Sequence, residues 1–107
     1  MLWAEVEAIR SELDEAVRQN LDYGLQANQA EVEYRILKSQ AILKLKSEGF
    51  PATLIPDIVK GLEKVAIAYQ NKLNAEVIYK NNIEVIQTKK LEMRTMEAEL
   101  EREWTQL

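Results

Sequence analysis

Apolar residues recur along this chain at alternating steps of four and three. From Leu2 the series reaches Val6, Ile9, Leu13, Ala16, Asn20, Tyr23, Ala27, Ala30, Tyr34, Leu37 and Ala41, and Asn20 is its one strongly polar member. Such steps return to the same side of a 3.6-residue helix, so the series predicts one long helix with a continuous inward seam. From Leu62, steps of three and four give Val65, Tyr69, Lys72, Glu76, Tyr79, Ile83, Ile86, Lys90, Met93, Glu97, Leu100 and Trp104, a second seam interrupted four times by charge. A period near 3.5 residues held this long predicts left-handed, coiled-coil-like packing. Leu25, Val32, Ile36 and Leu43 in the first half, with Leu73, Val77, Ile78 and Val85 in the second, widen each stripe beyond what one facing helix covers.

The clear punctuation lies between the seams, in the run from Lys46 to Pro51. Gly49 takes a left-handed C-cap conformation at low steric cost and Pro51 cannot continue a helix, so the first helix is expected to stop there. Thr53 is the expected cap of a new helix with Pro56 in its first turn; the pattern leaves open whether this helix runs straight into the last one, and the favoured reading is a bend near Gly61 and a long helix to about Trp104. Gly24 costs about 1 kcal/mol relative to Ala inside a helix and marks a place for a kink.

These elements predict an all-α protein, one domain over residues 1–107. The expected architecture is a long antiparallel helical hairpin, coiled-coil-like, with a short helix at the turn. An isolated hairpin leaves the outer half of each wide stripe uncovered, so the hairpins are expected to associate into a helical bundle as a homo-oligomer, with two-fold symmetry the default. Trp3, Ile36, Leu43, Val77, Ile78, Val85 and Trp104 are the candidate interface residues. The alternative is a monomer that breaks at Gly24 and packs as a three- or four-helix bundle.

Composition narrows the chemistry. The chain has neither Cys nor His, which removes disulfides, thiol nucleophiles, zinc and haem ligation by those residues, and the usual neutral-pH general base. No Ser-His-Asp set, phosphate-cradling glycine loop or Glu-x-x-His motif occurs, so no enzyme, no metal site and no cofactor is expected. The acidic run Glu97, Glu99, Glu101 and Glu103 suggests metal binding or DNA mimicry, but without His and a Glu-x-x-His motif a metal site is not expected there. No apolar run approaches the roughly 20 residues that span a bilayer, and the acidic N-terminal stretch is unlike a signal peptide; a soluble cytoplasmic protein without membrane contact is expected.

Charge comes in blocks. Residues 1–22 carry six acids and two bases, and residues 92–107 five and two, whereas residues 23–91 carry seven acids and ten bases. Lys38, Lys44, Lys46, Lys60 and Lys64 all fall near the turn, where the start of the short helix at Thr53 is a further place for an anion. One reading is a solvated helix surface. The functional one is a nucleotide-type ligand held by Lys44, Lys46, Thr53, Lys60 and Lys64. Scattered lysines on an acidic chain argue against nucleic acid as a partner. Tyr34, Tyr69 and Tyr79 lie on the seams and read as core, and Trp3 and Trp104 as packing of the open end.

Three stretches resemble a known group: residues 33–38 (EYRILK), residues 45–55 (LKSEGFPATLI) and residues 99–104 (ELEREW). The likeness, over about residues 30–104, is to small uncharacterised helical proteins of temperate phages of Gram-positive bacteria. The resemblance implies a phage accessory protein that binds host proteins, and transfers no functional residue. The expected function is therefore a non-enzymatic, self-associating helical binding or assembly protein that binds or inhibits a host or phage protein. The alternative is an oligomeric sponge for a nucleotide-type anion near the helix-turn lysines.

Overall fold

The computed structural model describes residues 2–106 and contains three helices: α1 (Leu2–Ser47), α2 (Ile55–Gly61) and α3 (Glu63–Gln106). α1 runs unbroken through Gly24, where its seam continues in phase on both sides. Lys44 and Lys46 sit in its last turn, where cations oppose the negative end of the helix dipole. The stop is a Schellman motif. Gly49 takes φ +87°, the Phe50 N–H donates to the Leu45 carbonyl at 3.2 Å and the Gly49 N–H to that of Lys46 at 3.1 Å, which satisfies carbonyls the helix end leaves open.

The expectation for the start of α2 is corrected. Leu54, not Thr53, is the N-cap, and no side chain caps the helix. The Leu54 N–H donates to the Pro51 carbonyl at 3.0 Å, so a tight turn carries the chain one residue further before α2 begins. Thr53 then lies outside the cap position, from which a side-chain oxygen reaches the first free N–H groups. Pro56 does fall in the first turn of α2. The bend expected near Gly61 is present one residue on. Leu62 is extended (φ −69°, ψ 130°), donates its N–H to Val59 and accepts from the Ala66 N–H, so it ends α2 and starts α3.

The helices form two compact units. One consists of the chain up to Tyr23 with the chain from Tyr79 onward. It buries Val6, Ile9, Ala16 and one polar residue, Asn82. The Asn82 amide donates to the Ala16 carbonyl at 2.9 Å and lies 3.4 Å from the Asn20 side-chain oxygen, while Lys89 pairs with Glu12. The other unit is Gly24–Ile78, where Tyr69 faces Tyr34 and Lys72 pairs with Glu31. Within each unit α1 and α3 numbers run in opposite senses, which makes the pair an antiparallel hairpin. In the Gly24–Ile78 unit α2 joins them, and Leu45, Ile55, Val59 and Val65 close into a buried cluster flanked by Tyr34, Leu37, Ala41, Ile42 and Ile58.

The α1 seam matches its spacing throughout: every member from Leu2 to Ala41 is buried or half-buried. On α3 the facing row is Val65, Ala68, Lys72, Ala75, Tyr79, Asn82, Ile86, Lys89, Met93, Met96 and Leu100. Half of this is the expected seam. Of the other expected column Glu76 and Ile83 are half-buried, whereas Tyr69, Lys90, Glu97 and Trp104 are exposed, and Ala68, Asn82, Lys89 and Met96, each one residue earlier along the chain, turn inward. Small alanines let the helices approach, and Asn82 and Lys89 turn inward because each meets a polar partner on α1.

Candidate ligand-binding cleft

One wall of the cleft follows from a four-residue spacing. Tyr34, Lys38, Ile42 and Lys46 lie one turn apart on α1 and form a single ridge. α2 brings Ile55, Pro56, Val59 and Lys60 against it, and α3 adds Val65, Ala66 and Tyr69. The space between them is about 880 Å³, all within the Gly24–Ile78 unit and within the usual range for small-molecule sites. Its floor is apolar, since Ile55, Val59 and Val65 are buried. The Tyr34 and Tyr69 rings meet with centroids 5.2 Å apart at 53°, a tilted pair, and Tyr69 remains 45% exposed beside the cleft.

The lysines around this floor divide into two kinds. Lys72, outside the lining, lies 5.8 Å from the Tyr34 centroid and 5.6 Å from that of Tyr69, and it is spoken for: its ammonium sits 3.3 Å from both Glu31 and Glu76. The hydrogen bond to Glu31 is the main reason that its pKa lies above the ordinary lysine value, against an opposing desolvation. Desolvation is likewise the largest single influence on Glu31 and acts to raise it, but bonds from Arg35 and Lys72 together with their charges hold the carboxyl below its ordinary value. Lys38, Lys46 and Lys60, by contrast, form no ion pair among the described residues. The Lys38 ammonium stands 5.7 Å from the Tyr34 ring centroid, a cation–π distance. No carboxylate lines the cleft. An apolar floor with an aromatic wall and three uncompensated cations is chemically matched to an organic anion.

Of the ligand residues expected from the sequence, Lys46 and Lys60 line this cleft, whereas Lys44, Thr53 and Lys64 do not. Lys44 is two positions from Lys46, roughly 200° around the helix, and so points elsewhere. The start of α2 adds nothing for an anion: the helix has seven residues and its first turn already carries the Asp57 carboxylate. Lys38 and the aromatic pair also line the cleft, and the signal of Tyr34 and Lys38 in the sequence is the ridge of four-residue steps from Tyr34 to Lys46.

The candidate interface residues are all exposed in the single chain, from Val85 at 36% to Trp104 at 70%. Ile36, Leu43, Val77 and Ile78 belong to the Gly24–Ile78 unit; Trp3, Val85 and Trp104 belong to the other. Leu25, Val32, Ile36 and Leu43, at steps of seven, four and seven, form an apolar row on the side of α1 opposite its inward seam. Among the described residues no group of three or more Asp or Glu is arranged to hold a metal ion, and no helix is long and apolar enough to cross a membrane. No family model, no curated protein and no solved structure matches this chain.

Proposed function

We propose that this chain is a non-enzymatic helical binding and assembly protein whose outer apolar face on the Gly24–Ile78 unit joins a second copy. The supporting observation is that α1 is apolar on two opposite sides. One side is spent against α3, while Leu25, Val32, Ile36 and Leu43 on the other stay half or more exposed. This row is self-complementary. Laid antiparallel on its own copy about a two-fold axis near Tyr34, Leu25 meets Leu43 of the partner subunit and Val32 meets Ile36 of the partner subunit, the isologous arrangement that closes a dimer. Sedimentation velocity tests this. The wild-type chain is expected to sediment as a multiple of its 12.4 kDa mass at micromolar concentration, and the Val32→Glu/Ile36→Glu double variant at the single-chain mass with its helix content intact. A wild-type monomer would sink the reading. The likeness to temperate-phage accessory proteins supports a cytoplasmic role in binding or inhibiting a host or phage protein.

A second reading is favoured by one specific feature, the cleft with Lys38, Lys46 and Lys60 around an apolar, tyrosine-walled floor. On this reading the protein is an oligomeric sponge that holds a nucleotide-type anion.

A further inference from the structure

We infer that the cleft of the Gly24–Ile78 unit recognises a flat-ringed organic polyanion by its charge and its ring alone, without metal and without reading the identity of a base. The inference rests on the second reading above and specifies its ligand class. The side chains of the lining carry the argument. Its polar groups are the ammoniums of Lys38, Lys46 and Lys60 and the hydroxyls of Tyr34 and Tyr69, and everything else is aliphatic. Discrimination between bases requires donors and acceptors fixed opposite the base edge, which are left unpaired by the wrong ring. No Asn, Gln, Asp, Glu, Ser, Thr or Arg side chain lines this cleft. A lysine ammonium on a flexible four-carbon stem binds phosphate as a point charge, with no preference for what the phosphate is attached to.

The ring has its own place. Tyr69 is partly exposed beside the aliphatic surface of Val65, and stacking on an aromatic side chain accepts every base because each has a π-face. Along the α1 ridge, Lys38 and Lys46 are two turns apart, roughly 12 Å at 1.5 Å per residue, with Ile42 between them. The ridge thus sets two cations on either side of an apolar step, and Lys60 comes from α2, so a ligand with several negative charges engages more of the set than one with a single charge. A divalent cation has no protein carboxylate to sit on here, and the lysines themselves neutralise the phosphates.

The test is calorimetric titration of the full chain with ATP, GTP, CTP and UTP, with the corresponding monophosphates, with adenosine and with inorganic phosphate, each with and without EDTA. The expected result is that the four triphosphates bind within about fivefold of one another, that monophosphates bind more weakly, and that adenosine gives no measurable heat. EDTA leaves the affinities unchanged, and added salt weakens binding steeply. Replacing Lys46 and Lys60 with Gln together is expected to weaken the triphosphates by about tenfold, and Tyr69→Ala to weaken all four alike, with unchanged helix content by circular dichroism. Absence of binding by any nucleotide would overturn the second reading and this inference with it. Binding that favours one base by more than about thirtyfold, or that disappears with EDTA, would overturn the inference alone and leave the sponge reading standing.

Discussion

The two units of this protein solve the same packing problem with different means. In the unit formed by the two ends of the chain, only two helices meet. Two cylinders touch along a line, and the residues buried there are few: Val6, Ile9, Ala16 and Asn82. In the Gly24–Ile78 unit the seven-residue α2 adds a third wall, and Leu45, Ile55, Val59 and Val65 close into a cluster. Charge differs in parallel. The two-helix unit carries twelve acids and seven bases, the three-helix unit six acids and seven bases. One unit therefore relies on polar pins along a thin apolar seam, and the other on a small true core with a cationic cleft beside it. What separates them is a turn long enough to hold two turns of helix.

The largest expected effect breaks the three-helix side of this comparison. Ile55→Ala removes a side chain that is 4% exposed at the centre of the cluster, and is expected to lower the unfolding free energy by about 3 kcal/mol in urea denaturation. Val6→Ala in the two-helix unit, at a side chain that is 1% exposed, is expected to cost roughly half as much, because it removes fewer carbon atoms. Equal losses at the two sites would show that α2 does not create the stronger core.

A smaller effect sharpens the two-helix side. Asn82→Ala leaves the Ala16 carbonyl and Asn20 without their bond at a buried position, and is expected to cost about 1–2 kcal/mol. Asn82→Leu fills the seam with apolar surface and is expected to be near neutral in stability while loosening the pairing, since a single buried Asn fixes register at some cost in stability. The chain has no cysteine of its own, so cysteines introduced in place of Glu12 and Lys89 report register cleanly. Oxidation is expected to crosslink this pair fully in the parent and only partly with Leu at position 82. Full crosslinking in both would remove the pinning role from Asn82.

The same division explains what the chain's pattern reveals and what it hides. The α1 seam is legible to the last residue because apolar side chains fill it with a single polar exception, Asn20. On α3 a reading by apolar bulk follows Tyr69 and Trp104, which are exposed, whereas the facing column is Ala68, Ala75, Asn82, Lys89 and Met96. Asn82 and Lys89 belong inside only because Ala16 and Glu12, about 70 residues earlier, supply their partners, and no local pattern carries that information. Thr53 fails as a cap for a related reason: the turn from Pro51 to Leu54, closed by one backbone hydrogen bond, decides where α2 begins. In the cleft, Lys46 and Lys60 are legible from their nearness to the turn. Separating them from Lys44 and Lys64 and adding Lys38 requires the rotation of each helix about its axis, which is set by packing.

The smallest expected effect is electrostatic, and it distinguishes the units by pH. Lys72 in the three-helix unit and Lys89 in the two-helix unit both have pKa values raised above 10.5, chiefly by their hydrogen bonds to Glu31 and Glu12. A raised lysine stabilises the fold in full below its unfolded value, and the stabilisation is lost as pH rises through the folded value. Glu31 works in the opposite sense: held below 4.5, it stabilises the fold above that value and the contribution fades as pH falls through the lowered one. These groups together predict a plateau of stability from about pH 5 to about pH 10, with a fall on either side. Both lysines are reachable by solvent, so salt screens the effect and the slopes are expected to be shallow. Lys89→Met removes the contribution of Lys89 to the alkaline limb. Lys72→Met flattens both limbs, since it removes a bonding partner of Glu31 along with the lysine itself. Urea midpoints followed from acid to alkali for the two variants check this, and an acid limb unchanged by Lys72→Met would mean that Arg35 alone holds Glu31 down.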